Sequence, residues 1–417
     1  MVEGKNTLPW YVSPHDVAAV VAGAALALVI SRVKTVRRMG PLWIVAALIV
    51  FRLAYLGIRF AAGKPVFDSD IALYYQYGSR IAAGQPVNAE YPELALGTFA
   101  LGAYLSPSLT AFRAVYPLLT LPFGCLATYM IIKLASRLGA PTETATACAL
   151  LYALSPFTMI FWAFKFDEVA VALMLTGLYC IERSKSAVLA LSTALGTLLK
   201  WFPIVILPVA IIHYAKTKPK VALQTVLLCI ATIVAILIAF HSVTKTSWTF
   251  AYAYQASRPI DGESIYYLIE FALTGVLISP SSWATPVYMT NEFVLGVELL
   301  SGIAWLGYLI RKTDAANLTY LSGLTVVFLV LVNKVYSTQY IVWVVPILLL
   351  CLAQLGAKVT LPQIAGITTA IQILNYLKAP ALAGTAAWIV ASALFWAGLA
   401  GTFFYLLRNS NTRRSNA

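Results

Sequence analysis

Residues 221–240 read VALQTVLLCIATIVAILIAF, a run without a charged side chain. An α-helix of this length is about 30 Å long, which matches the hydrocarbon thickness of a bilayer. Comparable apolar runs recur along the chain, and 60% of its 417 residues are hydrophobic while only 11% are charged. Soluble domains are about 45 to 50% apolar. The sequence therefore predicts an all-α, polytopic transmembrane helical bundle.

Thirteen apolar runs approach the length needed to span a membrane. Their predicted bounds are 10–31, 41–60, 112–132, 143–162, 167–182, 186–199, 202–215, 221–240, 290–310, 315–333, 340–356, 361–377 and 385–407. Residues 186–215 are predicted to form a tight hairpin that turns at residues 200–203. Because no linker or low-complexity segment divides the chain, we expect residues 1–417 to form a single membrane domain of about 12 to 13 spans, with residues 1–40 as an accessory N-terminal helix.

The basic residues predict which ends of the spans face the cytoplasm, because cytoplasmic loops are enriched in Lys and Arg. One assignment collects the tight basic clusters on a single side. These clusters are Arg32, Lys34, Arg37 and Arg38; Lys133 and Arg137; Arg183 and Lys185; Lys216, Lys218 and Lys220; Arg311 and Lys312; and Arg408, Arg413 and Arg414. Since the net charge of +13 is scattered between apolar runs, it predicts topology and a lipid bilayer partner, and no nucleic acid.

The same assignment places most acidic residues on the opposite, extracytoplasmic side. They are Asp68, Asp70, Glu90, Glu93, Asp167, Glu168, Asp261, Glu263 and Glu270. Residues 61–111 and 242–289 become two longer extracytoplasmic loops carrying interfacial helices. In the first loop, an apolar segment ending near residue 105 is placed along the interface, because counting it as a span would invert every later basic loop.

The chain lacks the common motifs of nucleotide-binding proteins and hydrolases. It has no GxxxxGK[ST], no GxGxxG between a strand and a helix, no GxSxG and no HExxH. Its five cysteines lie in apolar runs and are read as small hydrophobic residues. What remains is carboxylates, cations and aromatic residues at one face. Such a set suits glycosyl transfer from a lipid phosphate to a hydroxyl, which needs a carboxylate base and cations for the departing phosphate.

Three stretches carry a resemblance to a known family. Asp70-Ile71-Ala72-Leu73-Tyr74, followed by Gly84-Gln85-Pro86 and Glu90-Tyr91-Pro92, resembles the first outer loop of the GT-C glycosyltransferases. The likeness is greatest to the polyprenyl-phosphate-mannose-dependent mannosyltransferases of the phosphatidylinositol-mannoside type. Glu93 stands where that family has a second Pro.

The other two stretches lie later in the chain. Residues 196–203, GTLLKWFP, are similar to the family's Gly-x-x-x-Lys-x-x-Pro hairpin, and residues 337–346, STQYIVWVVP, are similar to its late helix start with Trp-x-x-Pro. Gln339 and Tyr340 stand where some members carry His. The resemblance covers roughly residues 41–360.

The resemblance implies that Asp70 is the general base, and that Tyr74, Glu90 and Tyr91 bind substrate. Asp68 forms an Asp-x-Asp pair with Asp70, which is similar to the pair in eukaryotic glycosylphosphatidylinositol mannosyltransferases. This pair could bind a divalent metal or hold a sugar hydroxyl, although simple solvation remains an alternative for Asp68. No cofactor is otherwise expected.

The resemblance also implies that Lys200 contacts the donor phosphate. Arg258 is a second phosphate candidate, because a guanidinium binds two oxygens at once; an ion pair with Asp261 or Glu263 is the alternative. Gln339 is predicted to bind sugar or phosphate, or else to cap the following helix, and Tyr340 belongs to the same predicted binding set.

Three further charged residues are predicted to bind substrate, each with a structural alternative. Arg52 lies inside the second apolar run, where a buried cation needs a partner such as Asp167. Asp167 and Glu168 begin an apolar run at the outer face, where carboxylates favour a helix N-terminus or could bind the acceptor.

The sequence thus predicts a plasma-membrane glycosyltransferase whose active site is extracytoplasmic. It would move a sugar, expected to be mannose, from a polyprenyl-phosphate donor to a hydroxyl of a lipid- or protein-linked glycan, with inversion. The alternative is a polytopic transporter or a lipid or glycolipid flippase, although the chain shows no internal repeat of the kind that transporters carry.

Overall fold

The computed structural model describes residues 14–61, 68–247, 249–261, 263–275, 287–378 and 385–410. All regular elements in these ranges are helical, as the sequence predicts. The α-helices are α1 (Pro14–Arg32), α2 (Lys34–Arg37), α3 (Pro41–Ala61), α4 (Asp68–Ala82), α5 (Glu93–Tyr104), α6 (Leu109–Arg137), α7 (Thr142–Ala153), α8 (Pro156–Trp162), α9 (Asp167–Glu182), α10 (Ser186–Leu199), α11 (Leu207–Thr217), α12 (Pro219–Thr244), α13 (Phe250–Ser257), α14 (Ile265–Thr274), α15 (Asn291–Lys312), α16 (Leu318–Val332), α17 (Ile341–Ala353), α18 (Leu361–Leu377) and α19 (Ala386–Asn409). Short 3₁₀ turns cover Phe202–Ile206, Thr338–Tyr340 and Gly356–Lys358.

Five helices in the described ranges are long and apolar enough to cross a membrane. They are α3, α6, α12, α15 and α19, and the bent pair α7 and α8 together meets the same criteria. Helices such as α10, α16 and α17 are apolar but shorter. The membrane-embedded class is therefore confirmed, whereas the predicted count of 12 to 13 spans stays a prediction because many of the predicted spans form shorter helices.

A proline divides the apolar run predicted at 143–162. Helix α7 ends at Ala153 and α8 begins at Pro156, with a bend of 47° between them. Proline has no N–H to donate to the preceding turn, and its ring disfavours helical geometry in the residue before it. The side chain of Ser155 then caps α8 by accepting a hydrogen bond from the Thr158 amide at 3.3 Å. One predicted span is thus a broken helix.

The helical run also breaks within the turn predicted at residues 200–203. Helix α10 ends at Leu199, and Lys200 takes an extended conformation with φ −154° and ψ 135°. Gly196 lies so close to the following 3₁₀ turn that a Cβ there would be 2.9 Å from the Cβ of Pro203. The glycine therefore allows the close approach that brings Lys200 out of the helix.

The first loop folds as two helices, α4 and α5, packed against each other. A Cβ at Gly78 would lie 2.2 Å from the carbonyl oxygen of Phe99, so only glycine permits this approach. Tyr74 stacks on Phe99 with ring centroids 4.1 Å apart. Helix α5 has 12 residues, which corresponds to about 18 Å and is too short for the hydrocarbon core. Its interfacial position stays a prediction.

Hydrogen bonds between helix ends show which ends of the helices lie together. Arg137 at the end of α6 donates to the carbonyl of Glu182 at the end of α9, at 2.9 Å. Lys216 at the end of α11 donates to the carbonyl of Ile310 near the end of α15, at 2.5 Å. The starts of α9 and α17 lie together at the other end of the bundle, where a cavity opens.

Candidate functional site

A cavity of about 290 Å³ lies where several helix connections meet. Six residues predicted from the sequence line it: Glu90, Tyr91, Lys200, Arg258, Gln339 and Tyr340. The wall also contains residues that the sequence reasoning did not assign to the site, namely Pro92, Lys165, Trp201, Tyr254, Gln255, Asp261, Ser337 and Trp343. The three separate stretches of the predicted motif set therefore converge on one space.

Each of three cations in the cavity wall is paired with a different carboxylate. Lys165 forms an ion pair with Asp70. The Nζ of Lys200 lies 3.1 Å from Oδ2 of Asp167. The Nη2 of Arg258 lies 3.3 Å from Oδ2 of Asp261. Because an anion that enters the cavity can replace these carboxylates as partner, the wall is suited to a phosphate group.

Asp70 lies in the first turn of α4, and its side chain is about one-third exposed. Asp68 begins the same helix, but its side chain lies outside the described part of the structure. The divalent metal predicted at Asp68 and Asp70 therefore stays a prediction. Among the described residues, no group of three or more His, Cys, Asp or Glu side chains is arranged to hold a metal ion.

Asp167 is the first residue of α9 and is almost fully buried. Its Oδ1 accepts a hydrogen bond of 2.6 Å from the indole Nε1 of Trp343, and its Oδ2 accepts one of 3.1 Å from Lys200. Asp167 thus lies behind Lys200 and Trp343, both of which line the cavity. Its charge also lies at a helix N-terminus, where the backbone dipole favours an anion.

Aromatic rings surround the ammonium group of Lys200. The Nζ lies 4.7 Å from the ring centroid of Phe166, 5.7 Å from that of Trp343 and 5.9 Å from that of Tyr340. Burial lowers the pKa of Lys200, while the charge of Asp167 raises it. The cation is therefore held in place by one carboxylate and several ring faces.

Arg52 and Glu168 form a bidentate ion pair in the interior of the bundle. The two N–O distances are 2.5 and 2.6 Å, and the Tyr152 hydroxyl donates to the same carboxylate at 2.9 Å. The partner of Arg52 is therefore Glu168 rather than Asp167, the example considered from the sequence. Both side chains are inaccessible to solvent and lie outside the cavity wall. In this arrangement they fix the start of α9, which carries Asp167.

Tyr74 is a packing residue in this structure. It is buried against Phe99 and contacts the edge of Tyr91, with ring centroids 5.3 Å apart. Tyr91 does line the cavity, and burial followed by the charge of Glu90 raises the pKa of its hydroxyl. Tyr74 therefore lies behind Tyr91 and does not line this cavity, and its predicted role in substrate binding stays a prediction.

Gln339 brings an unpartnered acceptor to the cavity. The residue is 8% exposed, and its Oε1 has no hydrogen-bond partner among the described residues. The N-cap of α17 is Tyr340, without a side-chain capping bond, so Gln339 does not cap that helix. A buried acceptor without a partner costs about 1 to 3 kcal/mol unless a ligand or water satisfies it.

A second charged cluster holds the connection that carries Arg258. The Thr338 hydroxyl donates to Oε2 of Glu263 at 2.6 Å, and Lys378 donates to the backbone carbonyl of Glu263 at 2.8 Å. The Asp261 amide donates to the carbonyl of Lys334 at 3.0 Å. Burial raises the pKa of Glu263 and lowers that of Lys378. These hydrogen bonds join the connection between α13 and α14 to Lys334, Thr338 and Lys378 in the later part of the chain.

The sequence contained a weak signal for one of the unassigned residues. Lys165 is a single cation between aromatic residues and the acidic pair Asp167-Glu168, at a predicted outer-face turn. Nothing in the sequence indicated a role for Lys378, because it follows an ordinary apolar run. Its contacts with Glu263 and with the ring of Tyr336 join residues that are far apart in the chain.

No curated protein matches the chain. The sequence profile of a membrane mannosyltransferase family does match it, over residues 165–409, which is more than half of the chain. The matched range begins at Lys165 and includes Asp167, Lys200, Arg258 and Gln339, while Asp70 lies before it. The match confirms the predicted glycosyltransferase class. It favours this class over the alternative of a transporter or a flippase. The chain belongs to the mannosyltransferase (PIG-M) family.

Proposed function

We propose that this chain is a mannosyltransferase of GT-C type that takes mannose from a polyprenyl-phosphate donor at the extracytoplasmic face of the plasma membrane. The acceptor is a hydroxyl of a lipid- or protein-linked glycan, and Asp70 is the general base. The observation that carries this proposal is the cavity wall, in which Lys165, Lys200 and Arg258 face one space. These cations give the donor phosphate a binding site.

The cations also suit the leaving group of the reaction. As the bond between the sugar and the phosphate breaks, negative charge grows on the phosphate oxygens. Cations already held in place stabilise that charge without reorganisation. Lys200 supplies a point charge fixed by Asp167, and Arg258 supplies a guanidinium that can bind two oxygens.

A neighbouring groove supports a donor with an apolar tail. It has a volume of about 420 Å³ and shares Trp201, Gln255, Tyr340 and Trp343 with the cavity. Its remaining lining includes the apolar residues Val205, Leu295 and Leu329, together with the polar residues Glu298, Asn333 and Lys334. A phosphate in the cavity and an isoprenoid chain in the groove would be recognised together.

The proposed chemistry is a direct displacement. The carboxylate of Asp70 takes the proton of the acceptor hydroxyl, and the hydroxyl oxygen forms a bond to the anomeric carbon. The bond from that carbon to the phosphate oxygen breaks, and its electron pair leaves with the phosphate. Attack from the side opposite the phosphate inverts the anomeric centre. A positioned base contributes about 10² to 10⁴ in rate.

Membranes containing Asp70→Asn protein test this proposal with labelled polyprenyl-phosphate mannose and membrane glycolipids as acceptors. The expected result is a loss of transfer of about 10²-fold or more, without a change in the amount of folded protein. Lys185→Met is the control, because Lys185 is exposed at the start of α10. Transfer at the wild-type rate in Asp70→Asn would refute the role of Asp70.

A further inference from the structure

One ammonium group faces both Asp70 and the cavity. Lys165 lies in the connection between α8 and α9, where its Nζ pairs with the carboxylate of Asp70. The same residue lines the cavity beside Lys200 and Arg258. Its side chain is mostly buried, with 12% exposed. Lys165 therefore connects the carboxylate to the space in which an anion would bind.

The charges around Lys165 favour an additional anion. Lys200 lies close enough to oppose its charge, while Asp70, Asp167 and Glu263 are the acids around it. An anion placed between the two ammonium groups would relieve their repulsion.

In the arrangement seen here, the carboxylate of Asp70 is occupied by an ion pair with Lys165. A carboxylate in an ion pair with an ammonium group has a lowered affinity for a proton. It also has one side occupied by the lysine, so an acceptor hydroxyl cannot approach from there. The carboxylate can serve as general base only after Lys165 moves to another partner.

We propose that the phosphate of a lipid-phosphate donor draws Lys165 away from Asp70, so that Asp70 becomes an effective base only when the donor is bound. This inference rests on the proposed function. Lys165 keeps its proton and exchanges a carboxylate oxygen for a phosphate oxygen. The freed carboxylate then takes the acceptor proton as described above. When the lipid phosphate leaves, Asp70 releases that proton to solvent and pairs with Lys165 again.

The exchange makes the order of binding part of the mechanism. An acceptor hydroxyl that enters first meets a neutralised carboxylate and cannot be deprotonated. A donor that enters first supplies the phosphate and frees the base in one step. In this scheme Lys165 is a positioning residue for Asp70 as well as a ligand of the phosphate.

Cross-linking of Lys165 to Asp70 tests the exchange without any transfer reaction. Carbodiimides convert a carboxylate and an amine in an ion pair into an amide, and mass spectrometry of the linked peptides gives the yield. Purified protein is treated alone, with polyprenyl methyl phosphate, which is a phosphodiester like the donor, and with the neutral polyprenol. The phosphodiester should lower the yield of the Lys165–Asp70 link about 10-fold, on the order of one charged hydrogen bond, and the polyprenol should leave it unchanged.

Variants assign the effect to Lys165. Lys165→Met removes the amine and should give no linked peptide, which shows that the link is made at Lys165. The exposed Lys185→Met should behave as the wild type. An undiminished yield in the wild type with the bound phosphodiester would overturn the inference, as would an equal fall with the neutral polyprenol.

These experiments distinguish a failure of the proposed general base from a failure of the exchange of partners by Lys165. If Asp70→Asn retains transfer, the proposed general base is wrong whatever the cross-linking shows. If Asp70→Asn is inactive and the yield of the Lys165–Asp70 link does not respond to the phosphodiester, the base assignment stands and only the exchange of partners is wrong.

Discussion

The indole Nε1 of Trp343 donates a hydrogen bond of 2.6 Å to Oδ1 of Asp167, although the two residues are 176 positions apart in the chain. The other oxygen of this carboxylate accepts from Lys200. A single buried carboxylate therefore joins the first turns of α17 and α9 to the lysine that lines the cavity. The position of Lys200 depends on this junction.

We expect Trp343→Phe to destabilise the protein by about 1 to 3 kcal/mol, because the variant leaves one oxygen of a buried carboxylate without its donor. Thermal unfolding in detergent measures the change. Trp43→Phe is a matched control, since Trp43 is 70% exposed in α3. Equal melting temperatures for the two variants would contradict the importance of this hydrogen bond.

Lys200→Met should weaken donor binding, because it removes one cation from the proposed phosphate site. We expect the KM for labelled polyprenyl-phosphate mannose to rise about 10-fold or more, in line with a charged hydrogen bond worth about 1.5 to 3 kcal/mol. Lys200→Arg retains the charge beside Asp167 and should recover part of the affinity. A KM unchanged in Lys200→Met would show that the phosphate binds elsewhere.

Arg52→Met should cost about 3 to 5 kcal/mol of stability, since it leaves the Glu168 carboxylate buried without its cation. The double variant Arg52→Met with Glu168→Gln should regain part of this loss, because the uncompensated charge is then gone. Arg38→Met is the surface control: Arg38 is paired with Glu143 but largely exposed, so its loss should cost less than about 1 kcal/mol. Equal losses in Arg52→Met and Arg38→Met would contradict the interior ion pair.

Glu263 should make the stability of the protein depend on pH. Burial raises the pKa of its carboxyl to about 7 from an ordinary 4.5, against the lowering effect of Lys378. The folded state thus holds this proton more tightly than the unfolded state, so the contribution is fully present below pH 4.5 and is lost as the pH rises towards 7. The melting temperature of the wild type should fall relative to that of Glu263→Gln across this window. A difference between them that does not vary with pH would refute the shift.

Gln339→Leu should lower transfer while leaving the fold at least as stable. Its Oε1 is buried without a partner among the described residues, so replacing it removes an unsatisfied acceptor rather than a bond. Because the amide is predicted to bind the sugar, the KM for the donor should rise while the melting temperature stays level or increases. Loss of stability together with activity would identify Gln339 as a structural residue.

Adjacent residues in the sequence can serve different parts of the structure. Asp167 and Glu168 look equivalent as an acidic pair at the start of an apolar run. Successive residues of an α-helix point about 100° apart, and as a result Asp167 meets Lys200 and Trp343 while Glu168 meets Arg52. Helical geometry alone shows that the two must diverge, but which one contacts the residues that line the cavity depends on how α9 is rotated against its neighbours.

The apolar runs by themselves determined that this chain lies in a membrane as a bundle of helices, because helical backbone is the form that satisfies its own hydrogen bonds in lipid. The motif stretches likewise predicted that Glu90, Lys200 and Gln339 lie together, and the three residues line one cavity. Tertiary structure alone decided that Lys165 holds Asp70, that Glu168 holds Arg52 and that Lys378 holds the carbonyl of Glu263. Such pairs join residues about 95 to 116 positions apart, and a charge finds its partner through the packing of helices rather than through its place in the chain.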